Sequence, residues 1–371
     1  MSRGVPEIVF AGGGTGGHLF PALAVADALR ARFPGGTIWF IGARRGLEQR
    51  LVPPAGYRLR ALPLSGLKGR RGLGRLAAIV SAAVAVGRCL VWLGTARPGL
   101  VIGVGGYASG PAMLAAWVLR LRTLVLEQNH WPGATNRWLA RRVDAVCVPS
   151  VAARERLGGI GIVTGNPVRA EFARIGDPPS GPAMNLLVFG GSRGARSLNR
   201  AVAAALPDLA AFDPPLRIVH QTGPDDAVAA REAGRSYPTG RYEALEFVDD
   251  MPQRMAAADL VVCRAGATTL AEITAAGRPA ILVPYPYAAD DHQRHNAEVL
   301  QATGAAVVIR DVDLSGPTLV AAVRALTRDR AQLTAMGRSA RALGRPEATA
   351  AIVGVASLLL AGRPPEEPDV P

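Results

Sequence analysis

A glycine-rich turn followed directly by a histidine lies near the start of the chain. Residues 11–18 read Ala-Gly-Gly-Gly-Thr-Gly-Gly-His, and they join an apolar run at 8–10 to a helical pattern of apolar residues. A strand, a glycine turn and a helix in this order point backbone N–H groups at an anion. His18 is a candidate general base, because an imidazole can take a proton from a hydroxyl near neutral pH. A histidine that only hydrogen-bonds the backbone is the structural alternative.

The spacing of Gly12, Gly14 and Gly17 also fits a dinucleotide-binding fingerprint. That fingerprint includes an acidic residue about 20 positions later, which holds a ribose hydroxyl. Here the second apolar run, 37–41, ends in Gly-Ala-Arg-Arg instead. The missing acid argues against a nicotinamide or flavin cofactor and leaves a phosphate, a sugar or another polar ligand.

Similar turns recur in the second half of the chain, after apolar runs at 185–189 and 260–263. The two helices that follow these turns could hold a nucleotide diphosphate, with the hydroxyls of Ser192 and Thr268 adding to the backbone donors. Glu272 would lie about one turn into the second helix, where a carboxylate can accept from both ribose hydroxyls. The spacing Thr269-x-x-Glu272 is also a capping box, and on spacing alone the capping interpretation is slightly favoured.

Strand and helix patterns alternate along the whole chain, which predicts parallel sheets covered by helices. Ligands of such sheets bind outside the carboxyl ends of the strands, so polar turns at His18, Tyr107 and Asn129 would converge there. A Gly- and Pro-rich linker at 176–182 separates two similar series. We therefore predict two doubly wound α/β domains that face each other across a central cleft.

The charge of the chain is strongly positive and unevenly distributed. The 371 residues carry a formal net charge of +13, and no Asp or Glu occurs from 49 to 126. A basic segment at 68–75 before an apolar run at 76–93 suits docking on an anionic bilayer, and a core helix after a solvated basic loop is equally consistent. Arg88 within the apolar stretch 76–96 argues against a membrane-spanning helix.

Other functional classes find little support in the sequence. The cysteines Cys89, Cys147 and Cys263 lack metal-binding spacing, and we interpret them as buried, reduced thiols. The chain passes directly into its first strand, so we expect no signal peptide. The acidic pairs at 249–250 and 290–291 are interpreted as solvated loop residues. We predict no metal, no organic cofactor and no nucleic-acid partner.

Seven segments, in order along nearly the whole chain, together resemble the MurG family, the peripheral membrane glycosyltransferases of bacterial peptidoglycan synthesis. They are residues 13–18, 105–111, 127–129, 165–169, 190–192, 265–267 with Glu272, and 292–293 with 296–297.

The resemblance implies a GT-B fold with an acceptor- and membrane-binding domain at 1–165 and a UDP-GlcNAc-binding domain at 166–345. The C-terminal helix, at about 346–361, would pack back on the first domain, and 362–371 would be a disordered tail. The implied reaction moves GlcNAc from UDP-GlcNAc to the C4 hydroxyl of MurNAc in lipid I, with inversion, and forms lipid II. The resemblance also implies a peripheral location on the cytoplasmic face of the cell membrane.

Matched by motif, the resemblance places His18 near the reacting centre, Tyr107 on the acceptor side, Glu272 on the ribose and Gln293 on the sugar. This shifts our interpretation of Glu272 from cap to ligand. The implied donor contacts are Thr15, Gly16, Gly17, Asn129, Arg169, Ser192, Val248, Ala267, Thr268, Thr269, Leu270, Ala271, Glu272 and Gln293. Arg193 stands where the family often has glutamine, and Leu126 replaces a histidine of some members, so position 126 is not a base here.

Three alternatives stay open at this point. The chain could be another GT-B glycosyltransferase that acts on a glycolipid or a natural product. It could be a dinucleotide oxidoreductase, or a membrane-binding protein without catalytic activity.

Overall fold

The computed structural model describes residues 6–14, 16–44, 46–63, 73–106, 108–177 and 183–365. Within these residues the chain divides into two compact units. The first extends to Val168 and resumes at Glu347, and the second is Arg169–Pro346. Each unit contains one parallel sheet packed against helices. The predicted α/β class with two doubly wound domains is therefore confirmed.

The elements are numbered along the chain. The strands are β1 (Glu7–Ala11), β2 (Thr37–Ala43), β3 (Arg58–Leu62), β4 (Leu100–Gly103), β5 (Thr123–Leu126), β6 (Ala145–Val148), β7 (Ile162–Val163), β8 (Met184–Phe189), β9 (Leu216–Gln221), β10 (Tyr242–Leu245), β11 (Leu260–Cys263), β12 (Ala280–Leu282) and β13 (Ala306–Val308). The helices are α1 (Gly16–Arg32), α2 (Glu48–Leu51), α3 (Leu73–Ala96), α4 (Ser109–Val118), α5 (Ala134–Leu139), α6 (Val151–Arg156), α7 (Ala170–Ala173), α8 (Arg196–Ala210), α9 (Ala227–Ala233), α10 (Met251–Ala257), α11 (Ala267–Ala276), α12 (His292–Ala302), α13 (Gly316–Thr327), α14 (Arg330–Leu343) and α15 (Ala348–Ala361).

The sheet of the first unit has the strand order β3-β2-β1-β4-β5-β6-β7, with all strands parallel. Both of its faces are buried. On β1, Ile8 and Phe10 pack in a cluster with residues of α1 and α15, whereas Val9 and Ala11 pack in a cluster with residues of α3 and α4. Burial on both faces explains why β4, β5 and β6 are nearly continuous apolar runs, whereas the edge strand β3 alternates and is largely exposed.

The C-terminal helix α15 completes the core of the first unit. Its residues Ile352, Val355 and Leu359 are buried in the same cluster as α1. Two hydrogen bonds tie it down, from Arg122 Nη1 to the Leu360 carbonyl (3.1 Å) and from Thr349 Oγ1 to the Val168 carbonyl (3.2 Å).

One stretch of the described residues, Arg330–Ala361, is long and apolar enough to cross a membrane by length and composition. It consists of two helices, α14 and α15, with a break between Leu343 and Ala348. Since α15 packs in the core of the first unit, we interpret the stretch as core helices.

The sheet of the second unit has the order β10-β9-β8-β11-β12-β13, again with all strands parallel. One predicted strand was misplaced. The sequence favours a strand at 245–248, but β10 ends at Leu245, and the N–H of Val248 donates to the side chain of Gln221 (2.8 Å). Residues 246–248 therefore form a loop, in which Val248 is buried and Glu246 is exposed.

In each sheet, the two strands that are followed by glycine turns are neighbours. In the first unit β1 pairs with β4, and in the second unit β8 pairs with β11. These are the positions at which the strand order reverses, and α/β proteins bind ligands in the crevice there. The glycine turns singled out in the sequence follow these four strands.

Candidate active site

The two glycine turns of the first unit pack backbone against backbone. The Gly13 N–H donates to the Gly105 carbonyl (3.2 Å). A Cβ atom on Gly12 would lie 2.2 Å from the Gly105 oxygen, and one on Gly106 would lie 2.2 Å from the Gly13 oxygen. Both glycines also have positive φ values. Side chains at these positions would push the turns apart, so glycine is required for the close approach.

His18 lies in the first turn of α1, beside the second glycine turn. Its ring is so close to Gly105 that a Cβ atom there would lie 2.8 Å from Nδ1. A hydrogen bond of 3.2 Å joins His18 Nδ1 and Gln128 Oε1. Gln128 is only 2% exposed, and its Nε2 donates to the Val104 carbonyl (3.2 Å). The imidazole is thus held between the ends of β1, β4 and β5.

The other predicted residues of the first unit lie around the same strand ends. Gly16 and Gly17 are the first two residues of α1. Asn129 follows β5, and its backbone N–H and side-chain Nδ2 both donate to Glu127 Oε1 (2.8 and 3.2 Å). The amide nitrogen of Asn129 therefore helps to shape the turn. Thr15 and Tyr107 lie outside the described residues.

Glu127 anchors the loop between β5 and α5. It is 3% exposed, and its second carboxylate oxygen accepts from the Gly133 N–H (3.1 Å) and from Asn136 Nδ2 (2.8 Å). Four donors on one buried carboxylate make this residue structural, since the bonds compensate the cost of its burial.

In the second unit the glycine turn after β8 is supported from β9. The Gln221 side chain bridges two loops, because Nε2 donates to the Gly191 carbonyl (2.8 Å) and Oε1 accepts from the Val248 N–H. A Cβ atom on Gly194 would lie 1.8 Å from the Thr222 oxygen. Ser192 lies at the tip of this turn and is partly exposed.

A buried histidine holds the Thr222 turn in place. The Asn199 side chain donates to the Thr222 carbonyl (2.8 Å), and its Oδ1 faces His220 Nε2 (3.1 Å). Nε2 is therefore the protonated nitrogen, and Nδ1 accepts from the Tyr242 hydroxyl (2.9 Å). Burial lowers the pKa of His220 to about 4, so that this histidine is neutral and structural.

The helix α11 begins directly after the turn at the end of β11. Gly266 is its N-cap, and glycine has no side chain with which to cap the helix. The N–H groups of its first turn, Ala267 to Thr269, point out of the helix end, where a helix attracts anions. The remaining predicted residues, Leu270 and Ala271, lie in the following turn.

The capping-box interpretation of Glu272 is wrong. Thr269 is inside α11 rather than at its N-cap, because the helix begins three residues earlier than a capping box would place it. Glu272 Oε1 instead pairs with Arg169 Nη2 (3.2 Å). Burial raises the pKa of Glu272 to about 7, and the nearby Arg169 guanidinium acts in the opposite direction.

The helix α12 is tied to the loop before it and to the start of α11. Gln293 Oε1 accepts from the Tyr285 N–H (2.9 Å), and the buried Asn296 donates to the Ala265 carbonyl (3.4 Å). One lone pair of Gln293 Oε1 is thus engaged within its own loop, and its amide nitrogen is a second group that could contact a ligand.

Arg264, which follows β11, is structural rather than ligand-facing. It is 9% exposed and donates to Ser197 Oγ (2.8 Å) and Asp311 Oδ1 (2.6 Å). These bonds join the turn after β11 to the first turn of α8. Arg193, which directly follows Ser192 in the turn predicted to bind the diphosphate, is instead exposed.

Two glutamines at these sites received no role from sequence reasoning. Gln128 and Gln221 each end a strand or directly follow one, and each joins two loops by its amide. A polar residue closing a buried apolar strand is the signal that could have identified them, because a buried amide requires partners at both ends.

Comparisons with known proteins cover both units. Residues 8–148 match the glycosyltransferase family 28 N-terminal domain, and residues 185–352 match the glycosyltransferase family 28 C-terminal domain. The crystal structure of Acinetobacter baumannii MurG superposes with a TM-score of 0.75 at 30% identity, covering 94% of this chain and 98% of that one. A putative UDP-N-acetylglucosamine 2-epimerase from Listeria monocytogenes, with a TM-score of 0.71 at 14% identity, shares the fold alone.

Curated relatives agree with these matches. A protein of Geobacter sp. (strain M21) is 45% identical over 94% of both chains, and one of Anaeromyxobacter sp. (strain Fw109-5) is 43% identical over 96% of this chain and 94% of the relative. Both are named UDP-N-acetylglucosamine–N-acetylmuramyl-(pentapeptide) pyrophosphoryl-undecaprenol N-acetylglucosamine transferase. The chain therefore belongs to this family of GT-B glycosyltransferases, the MurG family.

Proposed function

We propose that the chain transfers N-acetylglucosamine from UDP-N-acetylglucosamine to the MurNAc unit of the lipid-linked, pentapeptide-bearing acceptor named in its relatives. The observation that carries this proposal is 45% identity to such a transferase over 94% of both chains. The turns at the two sheet switch points support it, because this activity needs one anion-binding crevice and one proton acceptor.

The second unit would hold the donor. The first turn of α11 and the turn around Ser192 supply backbone donors for the diphosphate, and Glu272 accepts from the ribose hydroxyls. The amide nitrogen of Gln293 would contact the sugar. Dipoles of this kind can neutralise the leaving UDP, so we expect turnover without a divalent metal.

The first unit would supply the proton acceptor. In one displacement, the C4 hydroxyl oxygen of MurNAc bonds to the anomeric carbon while the bond from that carbon to UDP breaks. The hydroxyl proton passes to His18, and UDP leaves as the anion. Attack opposite the leaving group inverts the anomeric centre and gives the β-linkage.

A transfer assay with labelled UDP-GlcNAc and a short-chain lipid I analogue tests this function. We expect one GlcNAc to be added per acceptor, and turnover to persist in EDTA. Glycolipid and natural-product acceptors in the same assay test the alternative glycosyltransferases. Preferred transfer to one of these acceptors would contradict the proposal.

The location of the enzyme at the membrane is a separate part of the proposal. Apolar side chains on α3 and α4 are exposed, among them Val91 (71%), Val80 (55%), Val118 (55%) and Trp117 (44%). Residues 68–72 of the basic segment 68–75, which leads into α3, lie outside the described residues. Exposed apolar side chains beside clustered cations are typical of surfaces that bind anionic bilayers. We place the enzyme on the cytoplasmic leaflet, where its lipid-linked acceptor would lie.

Charge reversal of this segment should weaken membrane binding. Each cation near an anionic surface contributes about 1 kcal/mol, so we expect the triple variant Arg70→Glu, Arg71→Glu, Arg75→Glu to bind anionic liposomes at least about tenfold more weakly in sedimentation assays. The matched control reverses three exposed arginines of the second unit, Arg217, Arg235 and Arg338. Equal binding by the two variants would refute the assignment of the surface.

A further inference from the structure

The amide of Gln128 has only one orientation that satisfies its surroundings. Its Nε2 lies 3.2 Å from the Val104 carbonyl, and its Oε1 lies 3.2 Å from His18 Nδ1. A flipped amide would place two acceptor oxygens against each other, and at 2% exposure the loss of a hydrogen bond would be costly. Oε1 therefore faces His18, and an amide oxygen can only accept.

The protonation of the His18 ring follows from this orientation. Because Gln128 Oε1 accepts, His18 Nδ1 must carry a hydrogen, and a neutral imidazole then has its lone pair on Nε2. The Nε2–H tautomer is the more populated one of a free histidine in water. The site thus selects the tautomer that solution disfavours.

We propose that Gln128 is a positioning residue that keeps His18 in the Nδ1–H form, with Nε2 as the atom that takes the acceptor proton. This inference rests on the proposed role of His18 as the base. An amide partner does this without placing a further charge beside the imidazole.

The surroundings of this pair restrain it further. Asn166 Nδ2 donates to the Gln128 carbonyl (2.7 Å), and the His18 ring packs on Gly105. Two carboxylates lie on the adjoining elements. Glu127 accepts from Asn129, Gly133 and Asn136. Glu48 Oε1 accepts from the Ala43 N–H (3.1 Å), whereas Glu48 Oε2 is buried and has no hydrogen-bond partner among the described residues. The bond to Gln128 is the one that bears on the hydrogen at His18 Nδ1.

Nuclear magnetic resonance of ¹⁵N-histidine-labelled protein tests the tautomer directly. The chain has five histidines, so comparison with His18→Ala assigns the His18 signals. We expect the wild-type His18 to show a protonated Nδ1 and an unprotonated Nε2 at pH 8. In Gln128→Leu we expect the signals to shift towards the Nε2–H form. A wild-type Nε2–H spectrum, or an unchanged spectrum in Gln128→Leu, overturns the inference.

Kinetics provide the second readout. A misoriented base costs about 10²-fold, so we expect Gln128→Leu to lower kcat by about 10- to 100-fold with little change in KM. In Gln128→Glu the carboxylate favours the imidazolium and still accepts from Nδ1, so we expect the acid limb of the pH profile to move upward by about one unit. The other carboxylate oxygen then faces the Val104 carbonyl, so we also expect the plateau to fall. If Gln128 had a merely structural role, its replacement by glutamate would not shift the acid limb.

Gln49→Leu is the matched control, because Gln49 also donates to a main-chain carbonyl of the first unit, that of Ala43 (3.3 Å), and lies at the surface. It should change neither the spectrum nor the pH profile. If Gln128→Leu does not fold, Gln128→Glu alone decides the outcome, and an acid limb in its wild-type position overturns the inference. Near-normal turnover of His18→Ala overturns the base role and this inference together, whereas an unaltered tautomer in Gln128→Leu overturns this inference only.

Discussion

Replacement of His18 by alanine is expected to lower kcat of the transfer reaction by about 10²- to 10⁴-fold, the range that a positioned general base contributes. The hydroxyl of a sugar is a weak nucleophile, and it attacks efficiently only as its proton leaves. The measurement is the initial rate of GlcNAc transfer to a short-chain lipid I analogue at saturating donor. UDP binding should change little, because the groups that we propose for the ribose and the diphosphate lie in the second unit.

A second histidine provides the control for this experiment. His295 lies on α12 in the second unit and pairs with Glu298 (3.4 Å), so His295→Ala removes an imidazole to which the proposal gives no role. It should retain wild-type turnover. If His18→Ala also kept near-normal turnover while binding UDP normally, the proton would have to leave by another route and the base role would be abandoned.

Replacement of Glu272 by glutamine is expected to weaken the binding of uridine at pH 8 by about tenfold or more. Each hydrogen bond to a charged group contributes about 1.5–3 kcal/mol, and the amide loses both the charge and one of the two acceptors. Calorimetry with uridine is the preferred measurement, because uridine carries the ribose hydroxyls without a titrating phosphate. A loss of less than about twofold would return Glu272 to a purely structural role beside Arg169.

The pH dependence of binding offers a sharper test of the same carboxyl. Since burial raises the pKa of Glu272 to about 7, a fraction of the free protein carries this carboxyl protonated at neutral pH. Ribose donors prefer the carboxylate, so the affinity for uridine should rise as the pH increases through 7. The dependence should vanish with 2′,3′-dideoxyuridine and in Glu272→Gln. If the affinity for 2′,3′-dideoxyuridine rose equally with pH, the proposed contact between Glu272 and the ribose hydroxyls would be contradicted.

The same shift has a consequence for stability in the absence of ligand. The folded-state pKa of Glu272 lies above its usual value of 4.5, so the folded state binds the proton more tightly than the unfolded state. The contribution of this group is therefore present in full below pH 4.5 and is lost as the pH rises towards 7. Glu272→Gln should be less sensitive to pH across this window in denaturant titrations.

Local patterns were sufficient to predict much of the fold. The runs at 100–103 and 123–126 are fully buried strands because apolar residues of that length, bounded by turns, can be satisfied only between two layers of helices. The strand expected at 245–248 was wrong, because the N–H of the buried Val248 donates to the side chain of Gln221 instead of to a neighbouring strand. Short strands such as β13, with three residues, were missed because they are too short to show a period.

The glycine turns were visible in the sequence for a similar reason. Glycine clusters after apolar strands predict close backbone approach, and the structure shows it at Gly12 and Gly194, where an added Cβ would lie 2.2 and 1.8 Å from a carbonyl oxygen. Backbone geometry of this kind depends on a few consecutive residues. The family, too, could be identified from the order of such motifs along the chain.

The sequence by itself thus determined the α/β class, the two-domain plan, the family and the positions of the turns, because each depends on residue types that are close together along the chain. Only the tertiary structure decided which side chains meet. His18 and Gln128 are 110 residues apart and Arg169 and Glu272 are 103 apart, yet both pairs are joined by hydrogen bonds. Their pairing depends on which strands become neighbours in a sheet and on which carboxyl or amide is buried, and these are results of long-range packing that no local pattern contains.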